Sequence, residues 1–238
     1  MDNFFSFLLL CHISIGTMAI VLFWFPTFSK KGSVRHKKFG VWYTYLMHGV
    51  VLSAFIMAVL AIFVPELVKP DKFENTMDPE KVRSSISGFA ILLLYLSLLT
   101  FVSLRYGQLV LKAKKSRDIL RSPFHLTITL CLLVGGLLIL LKGLLDDHIL
   151  MLIFGPLGIF ISLTNLYFTY KPVAGAKDWL VEHLGAYITS GIGAYTAFIS
   201  FGGRQLFDTS GVLQLFMWTA PGVIGTIFIL LLSRKYSN

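Results

Sequence analysis

Long charge-free stretches alternate with short charged segments along the whole of this chain. The first runs over about residues 3–28, with no charge after Asp2. Others cover about 40–64, 85–107, 123–141, 149–170, 183–201 and 212–232. A run of roughly 20 apolar residues, rising ~1.5 Å per residue, crosses the ~30 Å hydrocarbon core. Backbone N–H and C=O groups find no water there, so each run must satisfy its own and be helical. The period-2 alternation of an outer-membrane barrel is absent. The pattern predicts an all-α polytopic transmembrane helix bundle of about seven spans, forming one transmembrane domain over residues 1–238.

Local signals refine the boundaries. Asp78-Pro79 reads as an N-cap and first helical position, which starts the third helix ahead of its apolar run. Ser122-Pro123 reads the same way for the fourth. Gly155-Pro156 predicts a kink in the fifth helix, and Pro221-Gly222 sits near the middle of the seventh. Lys171 to Glu182 reads as a loop and Gly202 to Gly211 as a polar turn. The N-terminus lacks the basic segment of a secretory signal, so the first run is read as a retained helix.

Composition fits this picture: 14% of residues are charged and mean hydropathy is +0.75. Soluble domains carry about 25% charged residues. The net charge of +9 does not point to nucleic acid, because the basic residues sit in short loops between apolar runs. There they set orientation. With the N-terminus outside, fifteen of the 21 Lys and Arg residues fall inside, on the segments around Lys30–Lys38, Arg105–Arg121, Lys171–Lys177 and Arg234–Lys235. The expectation is N-out and C-in. Trp24, Trp42, Tyr43, Tyr170 and Trp179 then form an aromatic belt at the inner interface. The basic loop Lys30, Lys31, Arg35, His36, Lys37 and Lys38, and a second from Lys112 to Arg121, suit anionic lipid headgroups.

No Asp, Glu, Lys or Arg falls in the middle of any run. Histidine is the one ionisable side chain left at depth, at His12 and His48, with His125 and His183 near the inner ends. Neutral imidazole is a common ligand for haem and for metals, so these four are the candidate cofactor ligands, for haem b or a divalent metal. A three-ligand site from His48, His125 and His183 requires depths that differ by about two helical turns to be reconciled. The competing reading is hydrogen-bonded interior histidines. Asp146-Asp147-His148 reads as a solvated turn. Cys11 and Cys131 imply no disulfide framework. Small residues at Gly185, Thr189, Gly193 and Ala197 predict close packing of the sixth helix. Span residues such as Ser53, Ser97, Thr164 and Asn165 read as interhelical hydrogen bonders.

Two stretches carry a resemblance. His12 to Gly16, followed by Lys31-Gly32, then His36-Lys37-Lys38-Phe39-Gly40-Val41-Trp42-Tyr43 and Met47, is one. Trp179-Leu180-Val181-Glu182-His183 through Tyr187 to Phe198 is the other. They resemble a family of predicted multi-pass bacterial membrane proteins of unknown function. Its pattern is a helix-one His and Gly, then Lys-Gly, His-Arg-x-x-Gly-Arg-x-Tyr and a late Trp-Leu-x-x-His helix. Lys37 and Val41 stand here where that pattern has Arg. The resemblance implies a bacterial cytoplasmic (inner) membrane, points at His12, His36 and His183, and supplies no activity. Three functions remain: a histidine-liganded haem or metal protein with a redox role, a small-solute transporter or channel, or a membrane scaffold subunit.

Overall fold

The structure is a computed structural model describing residues 2–74, 76–114, 116–173, 175–203 and 211–237. The expected polar turn at 202–211 and two cations counted for orientation, Lys115 and Arg204, lie largely or wholly outside the described residues. Among those residues there is no strand. The helices are α1 (Asp2–Phe28), α2 (Val34–Phe63), the single turns α3 (Pro65–Val68) and α4 (Asp71–Glu74), α5 (Pro79–Lys112), α6 (Pro123–Leu145), α7 (Ile149–Tyr170), α8 (Asp178–Ala197) and α9 (Gly211–Ser237). A 3₁₀ turn spans Arg117–Arg121 and a π-helical segment spans Phe198–Gly202.

Six helices, α1, α2, α5, α6, α7 and α9, are long and apolar enough to cross a membrane. Large apolar side chains coat them outwardly, with Phe7 64%, Leu10 63% and Phe160 65% exposed. In water such a surface would drive aggregation; in lipid it is the solvated face. The chain is therefore a multi-pass integral membrane protein. The seventh expected span is α8. It is helical but carries Asp178, Glu182, His183, Thr189 and Ser190, and it is not among the six.

Helix starts explain most departures from the apolar runs. Ser33 Oγ accepts from His36 N at 3.2 Å, so α2 begins at Val34 and carries Arg35 to Lys38 on its first turns rather than in a loop. Asp78 Oδ1 accepts from Lys81 N at 3.0 Å and starts α5 at Pro79, as its sequence predicts. Helix α6 starts at Pro123, but Ser122 Oγ caps nothing and is buried without a partner. The loop expected from Lys171 to Glu182 is shorter: Asp178 Oδ2 accepts from Gly175 N at 2.9 Å and pairs with Lys171, and this closed turn launches α8 at Asp178. Tyr43 leaves the expected aromatic belt. It is 1% exposed and packs its ring 5.7 Å from that of Phe23.

The chain forms two compact units, Met1–Leu98 and Leu99–Asn238. In the first, α1 packs on α2 through a short turn at Gly32, whose φ of 77° few L side chains adopt. Ala19 and Met47 are fully buried in this unit. The start of α5 is held by an Arg83–Glu66 ion pair and by Ser87 Oγ donating to Ile62 O at 3.2 Å. In the second unit α6 packs on α7 and α8 on α9. Trp218 of α9, 2% exposed, meets the rings of Phe154 and Phe201 edge-on.

The α6–α7 contact is close enough to be backbone on backbone. A Cβ at Gly155 would lie 2.9 Å from Leu140 N and 3.0 Å from Gly136 O. Neither atom can swing aside as a side chain can. Gly155→Ala is expected to cost about 1–3 kcal/mol through overpacking, read as a lower melting temperature in detergent. An unchanged melting temperature would mean the two helices do not cross there.

Candidate functional site

The second unit gathers polar groups where α5, α7 and α9 end and α8 begins. The frame is an apolar cluster of Tyr106, Leu109, Val110, Leu120 and Phe168, with Ile119 and Trp179 packed against it. Tyr106 is 1% exposed, and its ring meets His125 at 6.0 Å and Phe168 at 6.4 Å. These two ring contacts and the surrounding apolar cluster hold the ring, and its hydroxyl reaches α8. There Tyr106 Oη donates to Glu182 Oε2 at 2.8 Å. This tyrosine–carboxylate pair joins residues 76 apart in the sequence.

Beside the pair lies a cavity of about 230 Å³, lined by Ser103, Tyr106, Thr164, Asn165, Glu182, Thr189 and Ser233 among its polar residues. Apolar lining comes from Phe160, Ile161, Val181 and Ile229. Asn165 is 6% exposed, and its Nδ2 is buried with no hydrogen-bond partner. A buried amide nitrogen left unpaired costs about 1–3 kcal/mol, and as a donor it can be satisfied only by an acceptor. The lining holds one carboxylate and no Lys, Arg or His. Its Glu182 carboxylate accepts from cations and hydrogen-bond donors, while the Asn165 amide nitrogen and the hydroxyls add donors. A volume below the ~300 Å³ where drug-sized pockets begin restricts any occupant to a small solute or a few waters.

The four candidate histidines divide between the two units, His12 and His48 in the first and His125 and His183 in the second. His12 Nδ1 lies 2.8 Å from Ser53 Oγ, whose own proton goes to Gly49 O at 2.8 Å, so the imidazole donates. His48 Nδ1 donates to Thr44 O at 2.7 Å, one turn back on its own helix. His183 Nδ1 donates to Gly107 O at 2.9 Å and its ring tilts against Tyr187 at 4.6 Å. His125, 1% exposed, keeps a buried Nδ1 with no partner. Within the second unit, His183 and His125 thus meet successive residues of α5, Gly107 and Tyr106. Among the described residues no three His, Cys, Asp or Glu side chains are grouped to hold a metal ion. Asp146 of the turn triplet is taken by Lys142 at 2.6 Å.

The small-residue face of α8 is used as its spacing suggests. A Cβ on Gly193 would lie 2.8 Å from Thr100 Oγ1, while Gly185 and Thr189 line the cavity. Tyr106 and Glu182 escaped the sequence reading. Glu182 falls in the segment read as loop, and nothing local ties it to Tyr106. The available signal was Asp178, an acid in the first turn of a helix, which moves Glu182 onto α8.

Basic residues around this end are engaged with protein. Arg117 donates to Phe168 O at 2.7 Å, Lys114 Nζ sits 4.1 Å from the Trp179 ring, and Arg121 lies 5.4 Å from that of Tyr170. The segment expected to meet lipid headgroups thus spends several cations on internal contacts. The Lys171 hydrogen bond, aided by the Gly175 N–H and the charges of Lys171 and Arg117, holds the Asp178 carboxyl below its ordinary value. No protein-family model, curated protein or solved structure matches this chain. The resemblance described above therefore rests on its own motifs.

Because the Asp178 value is depressed on folding, its contribution to stability is complete above the ordinary carboxylate value of about 4 and fades as pH falls through the lower folded value. The melting temperature should drop over that acid range. Asp178→Asn should melt lower at neutral pH and show a shallower acid drop. Parallel curves for the two proteins would mean the Lys171–Asp178 closure contributes nothing.

Proposed function

We propose that this protein binds a small cationic or donor-rich solute in the cavity between α5, α7, α8 and α9, as a transporter or channel for such solutes would. One observation carries the reading: a small cavity lined by hydroxyls and the single carboxylate of Glu182, placed among helices built for lipid. Polar groups inside a membrane protein are costly, and they mark solute and ion pathways. In this reading Glu182 receives the solute's positive or donor group, Tyr106 fixes the carboxylate, and Asn165 Nδ2, a donor, is matched by an acceptor atom of the solute such as the hydroxyl of ethanolamine. The resemblance of the His12–Met47 and Trp179–Phe198 stretches supports a bacterial inner membrane, and the bias of basic residues supports the N-terminus outside and the cavity toward the cytoplasmic face.

Histidine-held haem or metal is the second reading. Its support is the tautomer: His48 and His183 both donate from Nδ1 to a carbonyl, which puts the neutral ring's lone pair on Nε2, the usual ligating atom. That no three His, Cys, Asp or Glu side chains are grouped among the described residues weighs against a three-ligand centre.

Purified protein should gain melting temperature saturably with methylammonium or ethanolamine and less with glycerol. Glu182→Gln should raise the concentration needed by about tenfold or more, the loss of a charge-assisted contact. No shift with any of the three solutes, or an identical response in Glu182→Gln, would remove the solute reading. An absorption spectrum with elemental analysis of the same sample separates the second reading: a Soret band or stoichiometric metal supports it, and a colourless metal-free protein ends it.

A further inference from the structure

The elbow between α1 and α2 forms an open groove of about 620 Å³, lined by Trp24, Phe25, Phe28, Ser29, Lys30, Ser33 and Arg35. Its two halves differ in chemistry. One wall is aromatic: Trp24 stacks on Phe28 at 5.2 Å, and Phe25 meets Phe39 at 4.7 Å. Phe28 is 76% exposed. The other half carries the Lys30 and Arg35 side chains with two hydroxyls. Neither cation belongs to an ion pair among the described residues. No Asp or Glu occurs in the sequence between Asp2, at the far end of α1, and Glu66, so no acid near the elbow on these two helices balances them.

The elbow itself is held by other residues. Lys31 Nζ donates to Thr27 O at 2.9 Å and to Pro26 O at 3.2 Å, and His36 Nδ1 donates to Pro26 O at 2.9 Å. These bonds cap the last carbonyls of α1 and set the turn. They free Lys30 and Arg35 from that task. The second basic segment, by contrast, is tied to Phe168, Trp179 and Tyr170.

We propose that this elbow is a binding site for an anionic phospholipid, with Lys30 and Arg35 on the headgroup phosphate and Trp24, Phe25 and Phe28 against the glycerol and upper acyl chains. Free phosphate would satisfy the cations alone; the exposed aromatic wall, continuous with the lipid-facing surface of α1, selects the lipid. Guanidinium suits the phosphate oxygens by its paired donors, and Lys30 adds a point charge. Aromatic rings at headgroup depth are the usual interfacial anchors.

The test is native mass spectrometry of the full chain in neutral detergent, titrated with phosphatidylglycerol or phosphatidylcholine. Wild type should retain one phosphatidylglycerol about tenfold more tightly than phosphatidylcholine, as two cations near the lipid surface supply. The double variant Lys30→Gln with Arg35→Gln should lose that preference, while Lys37→Gln with Lys38→Gln, on the same helix start but outside the groove, should keep it within about twofold. Glycerol 3-phosphate in excess should displace little of the lipid. Equal retention of both lipids by wild type overturns the proposal. So does an equal loss in both double variants, which would mean diffuse charge, or full displacement by glycerol 3-phosphate, which would mean a phosphate site. Should the groove variant fail to fold, the wild-type lipid comparison and displacement decide alone.

Discussion

Polar groups within lipid must find partners inside the protein, and the rest of this structure follows from that constraint. It makes every long apolar run a helix. It also disposes of most hydroxyls on their own helices: Thr44, Ser103, Thr129, Ser162 and Thr169 each donate to the carbonyl four residues earlier, at 2.8–2.9 Å. Those side chains are satisfied locally and need nothing from a ligand. Against that background the exceptions carry information. Tyr106 and Glu182 satisfy each other across two helices, and Asn165 holds an amide nitrogen with no partner beside a cavity. Polar groups that cannot be settled within one helix are where a site is expected.

Much of the fold was legible because charge-free runs and capping residues are local signals. Asp78-Pro79 and Ser122-Pro123 mark the starts of α5 and α6 to the residue. Apolarity alone starts α8 at about residue 183, whereas a turn closed by Gly175, Lys171 and Asp178 begins the helix at Asp178 and places Glu182 on it. Tyr106 carries no local signal: its partner is distant in sequence, and no periodicity links the two.

The histidines show what spacing alone cannot decide. All four were placed on helices correctly. Their hydrogen bonds depend on the facing side chain, as with Ser53 for His12, or on the backbone, as with Thr44 for His48 and Gly107 for His183. Likewise two basic segments that look alike in sequence differ in structure. One docks its cations on aromatic rings and carbonyls, and the other leaves Lys30 and Arg35 facing an aromatic groove.

The central claim is that α8 presents a wetted polar cavity inside helices otherwise surrounded by lipid. Native Cys131 is exposed on α6, where the surface is lipid, and Thr189 lines the cavity. Membranes treated with a small charged methanethiosulfonate should show Thr189→Cys labelled in a background with Cys11→Ala and Cys131→Ala, while Cys131 in the native chain stays unmodified. Labelling of Cys131 as fast as in the unfolded protein, or an inert Thr189→Cys, would contradict the account.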